Sequence, residues 1–131
     1  IAVARRNSPE FSFEVAGLSE LPYANMQLGG VFAWYSIIHS PPSDLPRIFA
    51  EFVRVLAPGG HALLSSAGHR HVSRADGHDV SLESHLFTPE TIAGHLTDAG
   101  FSVIARLTRQ ARPQENTPQA AYSHTGPPTQ E

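Results

Sequence analysis

An α/β fold built on a parallel sheet is predicted by three features of this chain. An apolar run at Val31–Ile38 is rich in aromatic and β-branched residues, as suits a strand buried on both faces. A strongly amphipathic helix pattern follows from Leu45 to Leu56. Pro58-Gly59-Gly60 then stops the helix and leads into a second apolar run, His61–Ser66. Strand, helix and strand in unbroken succession from Leu21 to Ser66 form the unit from which parallel sheets are assembled.

The chain has 131 residues, enough for one domain with a real core and too few for two. Apolar residues at 40% and charged residues at 16% are ordinary for a globular protein. A net charge of −3 carries no electrostatic footprint for nucleic acid or an anionic membrane. The absence of cysteine removes disulfides, thiolate zinc sites and cysteine nucleophiles together, and suits a cytoplasmic protein. No run approaches the roughly 18 apolar residues a membrane span needs. No positively charged leader precedes an apolar stretch, so secretion is not expected. The opening IAVARR, with Arg5 and Arg6 at its end, reads as the last turns of a helix, where cations favour the dipole. A protein that extends upstream of Ile1 is the expectation that follows.

The remaining elements follow in order. Phe11–Val15 alternates apolar and polar residues and predicts a short strand. Gly17 to Gly30 is a polar connector with Pro22 and Asn25. Ser40-Pro41-Pro42-Ser43 breaks the Val31–Ile38 strand. Ser43 is the expected helix cap, with Asp44 at the positive end and Pro46 still in the tolerant first turn. Leu45, Ile48, Phe49, Phe52, Val53 and Leu56 form the apolar stripe. Arg47, Glu51 and Arg54 share the opposite face, at spacings where pairs contribute roughly a few tenths of a kcal/mol each.

Beyond Ser66 the chain is polar and histidine-bearing until Thr88-Pro89-Glu90, which has the cap, proline and acid of a helix start. A helix is predicted over Pro89–Ala99 with Gly100 as its stop, then a strand over Phe101–Thr108 with one wetter face. From Ala111 onward proline, glutamine and threonine dominate. The division expected is a domain over 1–110 and a disordered or irregular tail over 111–131.

Four patterns in order resemble the class I S-adenosylmethionine (SAM)-dependent methyltransferases of the type 11-like kind, over roughly Ile1 to Gln119. They are Leu21-Pro22-Tyr23; Val31–Ile38 with His39; Glu51-x-x-Arg54-Val55-Leu56-x-Pro58-Gly59-Gly60; and Leu86-Phe87-Thr88-Pro89-Glu90 followed by Ala99-Gly100-Phe101. The resemblance is to the C-terminal half of that family. It implies a partial Rossmann-like fold, three-layer αβα, with strands ordered 3-2-1-4-5-7-6 in the family and the first two missing here. No G-x-G-x-G cofactor loop occurs in the chain. Glycines stand at 17 and 29 where the family usually has acidic residues. Gln119–Tyr122 resembles the start of the seventh strand, which His124-Thr125-Gly126-Pro127-Pro128 is expected not to continue.

The resemblance also implies function: methyl transfer from SAM to a small-molecule acceptor. Gly17 and Leu18 would flank the adenine, and Trp34 and Tyr35 would line the cofactor crevice at a strand's carboxyl end, where open α/β sheets bind ligands. His39, just beyond, is the candidate general base, or else a loop histidine at a strand end. Three loop histidines, His69, His71 and His78, lie near Asp76 and Asp79; they read as solvated or as a weak metal-ligand set without zinc-motif spacing, and no metal is assigned. His78, Asp79 and His85 have a second reading, over the acceptor pocket. Without its family neighbours the strand at Val31–Ile38 has a bare edge, open to self-association. The rival reading is a non-catalytic remnant, or a module whose missing strands come from a partner.

Overall fold

The computed structural model describes residues 1–66, 72–75, 78–81, 84–113 and 119–126. Helix α1 (Ala2–Asn7) is followed by strand β1 (Leu28–Trp34), helix α2 (Leu45–Val55) and strand β2 (Leu56–Ser66). A hairpin of β3 (Val72–Ala75) and β4 (His78–Ser81), helix α3 (Pro89–Asp98), β5 (Ser102–Arg109) and β6 (Gln119–Thr125) complete the order. The main sheet runs β1-β2-β6-β5, with β1 and β2 parallel and β6 antiparallel to both its neighbours. That order is the 4-5-7-6 half of the arrangement the resemblance implies.

The strand–helix–strand unit forms as the sequence predicts, with shifted boundaries. β1 ends at Trp34, and Ile37–His39 turns into a short 3-10 helix that buries Ile37 and Ile38. Ser43 does not cap α2; it lies in a second 3-10 turn, Pro42–Asp44, and Asp44 is the residue before the helix. α2 buries Leu45, Ile48, Phe49, Phe52 and Val55, while Val53 of the predicted stripe is half-buried. The chain leaves the helix at Leu56 and passes through Pro58-Gly59-Gly60 within β2, where the register with β1 slips. Both glycines are required there: Gly59 has φ +72, and a Cβ on Gly60 would stand 2.8 Å from the Ala57 carbonyl oxygen.

Helix α3 starts and stops on the predicted residues. The Thr88 hydroxyl accepts from Thr91 N–H at 3.2 Å. At the other end Gly100 (φ 98) donates to Thr97 O and Phe101 to Leu96 O, the paired bonds of a Schellman motif, and Phe101 is buried.

One core holds these elements together. Ala33 from β1, Ala62 and Leu64 from β2 and Ala120 from β6 meet the buried residues of α2, Ile92 and Leu96 of α3, and Phe101. Both long helices therefore cover the same face of the sheet. On the opposite face Phe32, Trp34, Leu63 and Leu107 are exposed.

Three expectations are corrected. Phe11–Val15 is not a strand: it has no neighbour to pair with among the described residues, and Phe11 and Val15 are exposed. The irregular tail expected over 111–131 contains β6, which continues through His124 and Thr125 because it is inserted between β2 and β5 and satisfies both their edges. β5 is exposed along both faces from Ser102 to Thr108, not along one, since it is the outer strand beyond the reach of α2. The hairpin β3–β4 lies in the stretch read only as polar.

Phe52 is 1% exposed and its ring meets Phe49 edge-on at 6.0 Å. Phe52→Ala is expected to cost about 3–5 kcal/mol by urea unfolding. A loss under about 1 kcal/mol in a folded variant would place α2 off the sheet.

Candidate functional site

The carboxyl ends of the parallel pair β1 and β2 combine unusual backbone and side-chain geometry. Tyr35 follows β1 at φ 50, in the left-handed region that a bulky residue rarely adopts. Its N–H donates to the Ser65 carbonyl at 3.3 Å, so the end of β2 holds the turn. Trp34 and Tyr35 pack edge to face at 5.3 Å, and Phe32 stacks on Trp34 at 5.5 Å. The next residue, Ser36, has a buried hydroxyl with no hydrogen-bond partner among the described residues. Backbone strain beside an unsatisfied buried hydroxyl is the kind of local cost that folds carry at functional sites. A cavity of about 130 Å³ opens there, lined by Trp34, Tyr35, Ser65, Leu107, Arg109, Ala120 and Ala121.

His39 is exposed at the end of the 3-10 turn whose other two residues, Ile37 and Ile38, are buried as its anchor. The Ile38 carbonyl accepts from His85 N–H at 2.7 Å, which ties the loop before α3 beside His39. That loop is the segment with a second reading over the acceptor pocket. The side chains of His78 and Asp79, and all of His69, His71 and Asp76, lie outside what the structure describes. Among the described residues no three His, Asp or Glu side chains converge as metal ligands.

Gly17 and Leu18 sit on the connector before β1. Gly17 is exposed in an isolated bridge with Glu20, and Leu18 packs partly against the core. The connector is clamped to the polar face of α2. Glu51 Oε1 accepts from Leu21 N–H at 2.7 Å, and Arg54 reaches Glu51 through Nε (2.8 Å) and Nη2 (2.6 Å). Arg54 also donates to the Tyr23 carbonyl at 2.8 Å and to Asn25 Oδ1 at 2.9 Å, while its own carbonyl accepts from Met26 N–H. The Glu-x-x-Arg pattern thus positions the connector that carries Gly17 and Leu18. Helical spacing alone predicts only the Glu51–Arg54 pair.

The structure brings Trp34 and Tyr35 together at the strand end, sets His39 just beyond them, and leaves Gly17 and Leu18 on the separate connector. Sequence reasoning missed Ser65, Leu107 and Arg109 as cavity walls. They converge only because β6 enters the sheet, and the available signal was the resemblance of Gln119–Tyr122 to the start of the family's seventh strand.

Comparison with known proteins agrees with this geometry. Residues 1–60 match the family model described as a methyltransferase domain. A SAM-dependent methyltransferase from Methanosarcina mazei superposes with a TM-score of 0.74 at 18% identity, covering 89% of this chain and 68% of that one. The cyclase SpnF gives 0.73 at 19% identity, with coverages of 98% and 61%. The N-methyltransferase NodS from Bradyrhizobium japonicum, in complex with S-adenosyl-l-homocysteine, gives 0.70 at 16%, with 96% and 61%. This chain has the class I methyltransferase fold. It spans about two thirds of the length of these structures. Among curated proteins none matches it in sequence. No helix among the described residues is long and apolar enough to cross a membrane.

The clamp has a pH signature. The hydrogen bond from Arg54, opposed by desolvation and reinforced by Leu21 N–H, lowers the Glu51 carboxyl from 4.5 to about 2. A folded-state value below the unfolded one stabilises the fold fully above the unfolded value, and the contribution is lost as pH falls through about 2. Glu51→Gln is therefore expected to flatten the urea midpoint's dependence on pH across that window. An unchanged slope would mean the carboxylate is not held by Arg54.

Proposed function

We propose that this chain contributes to SAM-dependent methyl transfer onto a small-molecule acceptor in the cytoplasm. The observation that carries the proposal is the β1-β2-β6-β5 sheet, with its strained, aromatic-lined end at Trp34, Tyr35 and Ser36. The residues present fit one wall of a cofactor site. Trp34 and Tyr35 supply aromatic faces and the orphaned Ser36 hydroxyl can take a polar partner, while Gly17 and Leu18 stay apart on the clamped connector. When bound, SAM supplies an electrophilic methyl group. The chain's own contribution is to align the acceptor and exclude water, which accounts for much of the rate in a transfer between two bound partners. His39, exposed on its anchored turn, would take a proton from an acceptor oxygen or nitrogen where the acceptor needs it.

A second reading is favoured by a specific observation. β1 has no partner strand on its outer side among the described residues, and Gly17 stands where an adenine-binding acid is usual. On that reading the chain is a non-catalytic remnant, or a module completed by strands from a partner.

Both readings expect the chain by itself to bind SAM more weakly than about 1 mM, roughly −4 kcal/mol, because nothing in it replaces the glycine loop and ribose acid. Calorimetry showing micromolar binding would overturn this. The two readings part when the chain is joined to a complementing half that carries the G-x-G-x-G turn. Methyl transfer by that assembly, lowered about 10²-fold by His39→Ala with SAM affinity unchanged, is the expected result. Binding of SAM without turnover on any small-molecule acceptor would favour the remnant.

A further inference from the structure

We propose that the corner at Tyr35 and Ser36 is a two-state switch that swings His39 toward and away from the strand end, coupled to the loop before α3. As folded, the chain leaves β1 through Tyr35 at φ 50, a conformation that a residue with a side chain disfavours roughly 10-fold. β2 runs on to Ser66, one residue past the partner of Trp34, so an edge remains for Tyr35 to join in extended form. Tyr35 N–H already donates to the Ser65 carbonyl at 3.3 Å, the bond from which such an extension would proceed. Ser36 opposes the observed state as well. It precedes a 3-10 turn that a serine side chain could cap, yet it makes no such bond. Its hydroxyl is buried without a hydrogen-bond partner among the described residues.

Two anchors hold the corner against those costs. Ile37 is fully buried and Ile38 nearly so, directly after the strained pair. The Ile38 carbonyl accepts from His85 N–H at 2.7 Å. His85 is in turn 6.0 Å, ring to ring, from Phe87, which packs against the core. Relaxing Tyr35 to extended backbone therefore turns Ile37–His39 outward, exposes the Ser36 hydroxyl to water and withdraws Ile38 from His85. Costs and anchors of the same order put this second state at about 0.1–10% of the population. β1 through Trp34 stays in the sheet in both states, so the strand end is fixed while the histidine beyond it moves. That the movement governs proton transfer by His39 rests on the methyl-transfer reading; the two-state corner does not.

Relaxation-dispersion NMR on the full chain tests it, read at the amides of Ser36, Ile38, His39 and His85. The expected result is one exchange process on the microsecond-to-millisecond scale, shared by the turn and His85. Tyr35→Gly removes the left-handed cost and should lower the minor population about 10-fold. Tyr35→Val, β-branched, should raise it. Urea unfolding gives a second readout. At an ordinary strand position alanine is favoured over glycine by roughly 3-fold in the folding constant. At a strained Tyr35 the order reverses, with Tyr35→Gly about 10-fold above Tyr35→Ala. Both variants delete the contact with the Trp34 ring, so the comparison cancels it. No exchange in the turn, exchange there without His85, or Tyr35→Ala as the more stable variant would each overturn the proposal. Absence of methyl transfer in a complemented assembly would leave these readouts in place and remove only the role given to His39.

Discussion

The rest of the structure depends on the core between α2, α3 and one face of the sheet. The stripe of α2 from Leu45 to Val55 needs a large apolar surface, and it covers the face made by Ala33, Ala62, Leu64 and Ala120. Covering it commits Phe49 and Phe52 to the sheet and places α3 alongside, through Ile92 and Leu96. It also commits the alternating residues of the same strands to the opposite face, because side chains in a strand alternate strictly. Phe32, Trp34 and Leu63 lie on the opposite face as a direct consequence of Ala33, Ala62 and Leu64 being buried. The apolar open face and the aromatic strand end are therefore two results of one packing decision.

Within that arrangement the parts with local causes were legible in the sequence. The α2 stripe, the Thr88 cap, the Gly100 stop and the Pro58-Gly59-Gly60 reversal each have a short-range mechanism, and each formed close to the predicted residues. What failed depends on distant partners. Phe11–Val15 has the alternation of a strand but no pairing partner among the described residues. Gln119–Thr125 lies in a proline- and glutamine-rich stretch, yet two open strand edges flanking one slot order it. Pairing energy from both sides outweighs an unfavourable local composition, which no reading of a single segment reveals.

The candidate site divides along the same line. Trp34, Tyr35 and His39 were identified because they lie at or just beyond the carboxyl end of the strand that the resemblance sets beside the cofactor, where open α/β sheets bind ligands. The left-handed turn at Tyr35 has no sequence signature, being imposed by the Ser65 carbonyl and the buried anchors Ile37 and Ile38. The Glu51–Arg54 pair was visible as a helix-surface contact, worth little by itself. Its reach to Leu21, Tyr23 and Asn25 was not, since those partners lie about thirty residues away in the chain. That long reach turns an ordinary ion pair into the device that fixes the connector.

These constraints set what the chain can do chemically. A rigid strand end with a strained aromatic corner is suited to hold a planar ligand, because the cost of ordering it is already met by the fold. The outer edge of β1 has no partner among the described residues, so a ligand seated there would meet protein on one side only. Contacts from one wall orient a ligand, but they neither desolvate it nor grip its far end. Affinity and rate must then come from whatever closes the other side. On the proposed methyl-transfer reading, the described surface offers the positioning of reactants, and strong binding of the cofactor falls to groups outside it.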